Sequence, residues 1–161
     1  MTIRDRIENI LSKLPSTVKL VAVSKLQSIS DILEAYEAGQ RAFGESRSQE
    51  LAAKVAVLPK DIEWHFIGHL QTNKVKEVVT AFDCIETVDS MKLAEVINEA
   101  AAQLNKIMSI FLQVNISNDS NKYGFTPAEL SDVIKQFEPA SPASRQLQHF
   151  EHLELQGLMT I

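Results

Sequence analysis

The sequence predicts an α/β protein with a parallel sheet, laid out as a (β/α)8 TIM barrel that stops after its sixth strand. Three observations lead there. Short apolar runs alternate with amphipathic stretches along all 161 residues, the pattern of repeated strand–helix units. The first run, Leu20 to Val23, has no polar partner face, as expected of a strand covered on both sides of a parallel sheet. Six such runs are visible and the last reaches Ile161 with no helix after it, whereas a closed barrel has eight strands and usually about 200 residues or more. The expectation is one domain over residues 1–161 with the last quarter of a barrel absent. An open doubly wound sheet is the alternative, but with only five glycines and no GxGxxG the chain offers no nucleotide loop for it.

Taken in order, residues 3–14 place Ile3, Ile7, Ile10, Leu11 and Leu14 on one helical face, and Pro15 follows the helix end. Lys19 to Lys25 is the first strand. Ser28 and Ser30 offer N-caps for a helix over Ile32 to Ala38, with Gly39 beyond its end. Arg41 to Glu45 is the second strand, and Ser46-Arg-Ser-Gln49 has the form of a capping box opening a helix that stops before Pro59. Ile62 to Gly68 is the third strand, Gln71 to Ala81 a helix, and Cys84 to Val88 the fourth strand. Asp89 is placed to cap a long helix in which Ala94, Ile97, Ala101 and Leu104 share a face. Ile107 to Asn115 is the fifth strand, Pro127 sits in the first turn of the next helix, residues 139–149 are a loop by composition, and Leu153 to Met159 is the sixth strand.

Bulk properties exclude several classes. Hydrophobic residues make up 45% and charged residues 23%, values of a soluble globular domain. A net charge of −5 supplies no basic surface for nucleic acid or an anionic membrane. The N-terminal segment scatters charges among its apolar positions and is neither a signal peptide nor a membrane span. Cys84 stands alone, so no internal disulfide forms, which fits a reducing compartment; a cytoplasmic location is expected.

Ligands of parallel α/β folds lie at the carboxyl ends of the strands. Those ends carry Ser24-Lys25, Gly44-Glu45-Ser46, His65 with Gly68-His69, Asn115, and Met159-Thr160. Lys25 ends a strand that reads as fully buried, and an apolar wall lowers a lysine pKa toward the free amine that attacks aldehydes. The same position also suits a lysine that extends its charge to water. Glu45 precedes a helix, where a carboxylate complements the dipole, and His65 reads equally as a core histidine or a ligand. The polar loop Asn118 to Gly124 suits either ligand contact or a plain turn. His65, His69, His149 and His152 with Cys84 show no metal-ligand spacing, so no metal site is expected.

Val21-Ala-Val-Ser-Lys25, Phe43-Gly-Glu45, Trp64-His-Phe-Ile-Gly-His-Leu-Gln-Thr-Asn-Lys74, Gln113-Val-Asn-Ile-Ser117 with Lys122-Tyr-Gly124, and Gly157-Leu-Met159 occur in this order. With them the chain resembles the PLP homeostasis protein family over essentially its whole length. The resemblance implies a barrel of the alanine racemase N-terminal type. It implies pyridoxal 5′-phosphate (PLP) held as a Schiff base on Lys25, with Ser46, His65 and Met159 as further cofactor-binding positions. It implies a protein that buffers or delivers PLP in vitamin B6 homeostasis without clear catalytic turnover. PLP-dependent apoenzymes are the implied partners, and the intact protein is expected to be a monomer. Two departures are visible. Ser46 stands where the family usually has Asn, and the family continues past Gly-Leu-Met with segments that grip the PLP phosphate. A PLP-dependent amino-acid racemase is the enzyme alternative. It needs an acid/base on each face of its substrate, for which the only tyrosines are Tyr36, in a predicted helix, and Tyr123, in a loop. A Schiff-base aldolase without a cofactor is a third reading.

Overall fold

A computed structural model of the protein describes residues 1–137 and 150–161. The expected loop over 139–149, and His149 within it, therefore lies outside the described residues. The chain divides into two compact units, Met1–Gly68 and His69–Ile161.

The first unit runs α1 (Ile3–Leu11), β1 (Ala22–Val23), α2 (Ile29–Glu37), β2 (Ala42–Glu45), α3 (Ser48–Val55) and β3 (Glu63–Phe66). Its strands are parallel in the order β1-β2-β3. Thr2 with Asp5 and Ser28 with Asp31 form capping boxes that open α1 and α2 by satisfying backbone donors at each helix start. Ile7 is the buried anchor of α1, while Ile10 is exposed. Phe43, Leu51, Ile32 and Phe66 are buried in this unit.

The second unit runs from a 3-10 turn (Thr72–Lys74) into α4 (Val75–Ala81), then β4 (Cys84–Val88), α5 (Met91–Gln103), β5 (Met108–Gln113), α6 (Leu130–Lys135) and β6 (Leu153–Met159). The order β4-β5-β6 is again parallel. Val78, Val79, Phe82, Ile85, Ile97, Met108, Ile110 and Leu112 are fully buried there. Lys106 closes α4 by donating Nζ to the carbonyls of Val79 and Phe82; burial pushes its amine below the usual lysine range against the opposing pull of Asp83. Among the described residues no helix is long and apolar enough to cross a membrane.

Five expectations are corrected. The first strand is two residues long and Val23 is 55% exposed, so it is not covered on both sides. The Leu20 carbonyl, expected in the strand ladder, is bonded by the Gln40 side chain at 2.7 Å. The Ser46 capping box does not form: the chain stays paired beyond β2, with Ile67 N–H bonded to the Glu45 carbonyl, and α3 starts after Arg47 with no side-chain cap. Ser90, not Asp89, caps α5 by accepting from Leu93 N–H, because the Asp89 carboxylate is turned to His69. Leu104 ends that helix 41% exposed. Pro127 lies in a turn ahead of α6, where the Glu129 carboxylate binds Thr126 N–H and hydroxyl.

The loop after β5 is organised by Asn115. Its amide donates to the carbonyls of Asp119 and Lys122, and its oxygen accepts from Asp119 N–H. Gly124 closes the loop at φ +127, where a Cβ would stand 2.8 Å from the Gln113 carbonyl oxygen and 2.9 Å from Asn115 N. Both the left-handed backbone and the close approach require glycine. Gly124→Ala is expected to lower stability by at least about 1–3 kcal/mol, measured as a fall in the urea unfolding midpoint.

Candidate functional site

In the first unit the parallel register pairs Val23 with Gly44 and Glu45 with Phe66. Ser24-Lys25, Glu45-Ser46 and Ile67-Gly68 therefore gather at one carboxyl edge. The side chain of Lys25 is exposed and has no hydrogen-bond or ion-pair partner among the described residues. The apolar wall expected around it is thus absent from this unit. What surrounds Lys25 instead is a constrained backbone. Gln27 N–H bonds the Ser24 carbonyl at 3.0 Å, and Leu26 lies at φ 64. Such a turn normally has glycine at its third position. A leucine there costs about 1–2 kcal/mol.

The residue before Lys25 is gripped from below. Ser24 N–H bonds the Gly44 carbonyl at 2.9 Å, and its hydroxyl donates to Glu45 Oε1 at 2.7 Å. Lys54 Nζ reaches up from α3 to the Ser24 carbonyl at 2.9 Å and to Glu45 Oε1 at 2.6 Å. Glu45 is 0% exposed and Lys54 8%. Glu45 is therefore a partner in a buried ion pair rather than a complement to a helix dipole. Its second oxygen, Oε2, is buried without a hydrogen-bond partner among the described residues. Reasoning from the sequence missed Lys54, although a signal existed. Ser48, Leu51 and Lys54 follow one another at intervals of three, so the lysine falls on the buried stripe of α3.

Ser46 is half-buried, with its backbone tight against Gly68, where a Cβ would stand 2.6 Å from the Ser46 carbonyl oxygen. His65 is buried on β3. An ionised carboxylate only accepts, so His65 Nε2 donates to Glu63 Oε1 at 3.0 Å, while Lys19 holds the other carboxylate oxygen. Burial pushes the Glu63 carboxyl up, but the Lys19 hydrogen bond and the charges of Lys19 and His65 outweigh it and hold the group below the usual range. Met159 ends β6 in the other unit, half-buried and opposite Gln113. Lys25, Ser46 and His65 thus share one unit and Met159 belongs to the second.

The two tyrosines are differently placed. Tyr36 sits at the amino edge of the first unit, where its hydroxyl donates to both Asp61 oxygens at 2.8 and 2.9 Å and Arg41 lies 3.9 Å over its ring. The hydrogen bond to Asp61 raises the tyrosine pKa. In the second unit Tyr123 stacks on His69 with ring centroids 3.9 Å apart, and His69 Nδ1 lies 3.4 Å from Asp89. Next to it a cavity of about 330 Å³ over the end of β5 is lined by Gln113, Asn115, Asn121, Lys122 and Tyr123.

Both units are built from parallel strands with helical crossovers, and the model of the "Alanine racemase, N-terminal domain" family matches residues 1–161. The pyridoxal phosphate homeostasis protein of Schizosaccharomyces pombe is 41% identical over 89% of this chain and 57% of its own length. That of Vibrio alginolyticus is 38% identical over 99% of this chain and 71% of its own. The structure of PipY from Synechococcus elongatus PCC7942 with PLP bound is similar at TM-score 0.83 and 39% identity, over 99% of this chain and 70% of that one. The chain belongs to the pyridoxal phosphate homeostasis protein family. It spans between 57% and 66% of the length of the first three curated relatives it matches.

Breaking the buried pair from one side leaves an uncompensated charge. Lys54→Met is expected to lower stability by about 3–5 kcal/mol, read from urea unfolding. For Glu63 the folded pKa lies below the unfolded one. Its contribution is therefore fully present above the ordinary glutamate value of about 4.3 and is lost as pH falls through the lowered folded value. The stability difference between the parent and Glu63→Gln should shrink progressively on acidification through that range, measured by urea unfolding at stepped pH.

Proposed function

We propose that the protein holds PLP as a Schiff base on Lys25 and acts in intracellular PLP homeostasis without catalytic turnover. The observation that carries this reading is the exposed amine of Lys25, without a partner among the described residues, on a tightly held turn at the carboxyl edge of parallel strands. The donor set fits the aldehyde end of PLP: an amine free to condense, with the Ser46 hydroxyl and the His65 imidazole on the same unit. When bound, PLP supplies an aldehyde and an electron-accepting ring. Lys25 supplies the nucleophilic nitrogen, and the turn beneath it restricts where that nitrogen can go. Glu63 and Lys19 hold the His65 ring in one orientation. Ser46, His65 and Met159 are the further positions proposed to line the cofactor.

The carrier reading is favoured over racemization by the placement of Tyr36. A two-base racemase needs a second acid/base opposite the lysine, and Tyr36 is tied to Asp61 and Arg41 at the amino edge, away from Lys25. PipY, described with PLP bound, supports the cofactor, and the names of the relatives support the homeostatic role. PLP-dependent apoenzymes are the proposed recipients, in the cytoplasm, from a protein that is a monomer when intact.

Titration with PLP followed by visible absorption tests the reading. The parent chain is expected to develop a Schiff-base band and Lys25→Ala to lack it; a band of equal strength in Lys25→Ala would refute Lys25. Lys25-dependent interconversion of amino-acid enantiomers would refute the non-catalytic role.

A further inference from the structure

We propose that Lys54 and Glu45 are positioning residues for Lys25, acting through Ser24 to hold the turn that carries the reactive amine. The inference rests on the reading of Lys25 as the PLP lysine and deepens it.

Three observations converge. First, Ser24, the residue before Lys25, is bonded at its N–H, its carbonyl and its hydroxyl, and the last two bonds run to Lys54 and Glu45. Second, Leu26, the residue after Lys25, is in the left-handed region at φ 64. A leucine held there needs surroundings that over-determine it, a situation that clusters at functional sites. The Ser24 carbonyl that closes this turn to Gln27 is the one Lys54 holds. Third, the pair is a poor way to gain stability. Both charges are buried and Glu45 Oε2 has no partner among the described residues, whereas apolar residues of similar volume usually do as well or better. A device that fixes a backbone carbonyl explains the ionic choice, because an apolar side chain cannot donate to Ser24.

The reacting step sets what positioning is worth. As the neutral amine, Lys25 Nζ adds to the aldehyde carbon; its two N–H bonds and the C–O bond break as C=N forms, and the carbonyl oxygen leaves with the two protons as water. The rate depends on how closely the amine is held to the line of approach.

The test uses Glu45→Gln with Lys54→Met in the same chain, which removes both charges together and so leaves no uncompensated ion. The unfolding midpoint should stay near that of the parent. C=N formation with PLP, followed by absorption, should slow by about 10-fold or more, and deuterium uptake should rise in the peptide covering residues 22–27. A purely structural role predicts no split between stability and rate. Ser24→Ala removes only the hydroxyl link and should move rate and uptake in the same direction by a smaller factor, so it tests the inference if the double variant does not fold. Parental rate and parental uptake in a folded variant would overturn it. If Lys25→Ala forms the C=N product as readily as the parent, the reading of Lys25 fails instead, and deuterium uptake alone then decides whether the turn is clamped.

Discussion

A carboxylate and an ammonium group share the interior of the first unit, and neither could remain there charged without the other. Glu45 comes from the end of β2 and Lys54 from the last turn of α3, so their contact fixes the strand to the helix that follows it. Because Lys54 also takes the Ser24 carbonyl, the end of β1 is drawn into the same arrangement. The ends of β1 and β2 thus meet on one nitrogen atom supplied by α3. The site depends on that junction: Lys25 leaves it on one side, and Ser46 leaves it on the other, with Gly68 packed close against the Ser46 backbone.

The same junction accounts for a contrast in burial. Lys25 is exposed while its neighbour Ser24 is 3% exposed. The Lys25 side chain is open to solvent, and the backbone of the residue before it is hydrogen-bonded at both its N–H and its carbonyl. Burial of the lysine itself is a different route to reactivity, one that acts through desolvation. In this unit the constraint lies in the chain rather than in the surroundings of the side chain.

Much of this was legible in the sequence, and the failures have identifiable causes. Cys84–Val88 and Leu153–Met159 form the expected strands without change, the first of them bounded by Asp83 and by Asp89-Ser90. Ser28 and Gly39 bracket α2 as expected from local chemistry. Errors arose where a side chain was claimed by a distant partner. Asp89 reads as a cap but is engaged by His69, and Leu20 reads as strand but gives its carbonyl to Gln40. Lys25 was found because strand ends can be listed from the sequence. Lys54 was not, because a lysine on a helix reads as solvated unless its position is checked against the buried stripe. The φ of Leu26 left no trace in the sequence, since nothing local marks a leucine that tertiary contacts force into the left-handed region.

Lys25, held by this junction, is the residue proposed to carry PLP. The most direct measurement is borohydride fixation of the PLP-loaded protein followed by peptide mass spectrometry. The pyridoxyl adduct is expected on the peptide containing Lys25, at one group per chain. An adduct shared among surface lysines, or concentrated on Lys122 beside the cavity of the second unit, would contradict it.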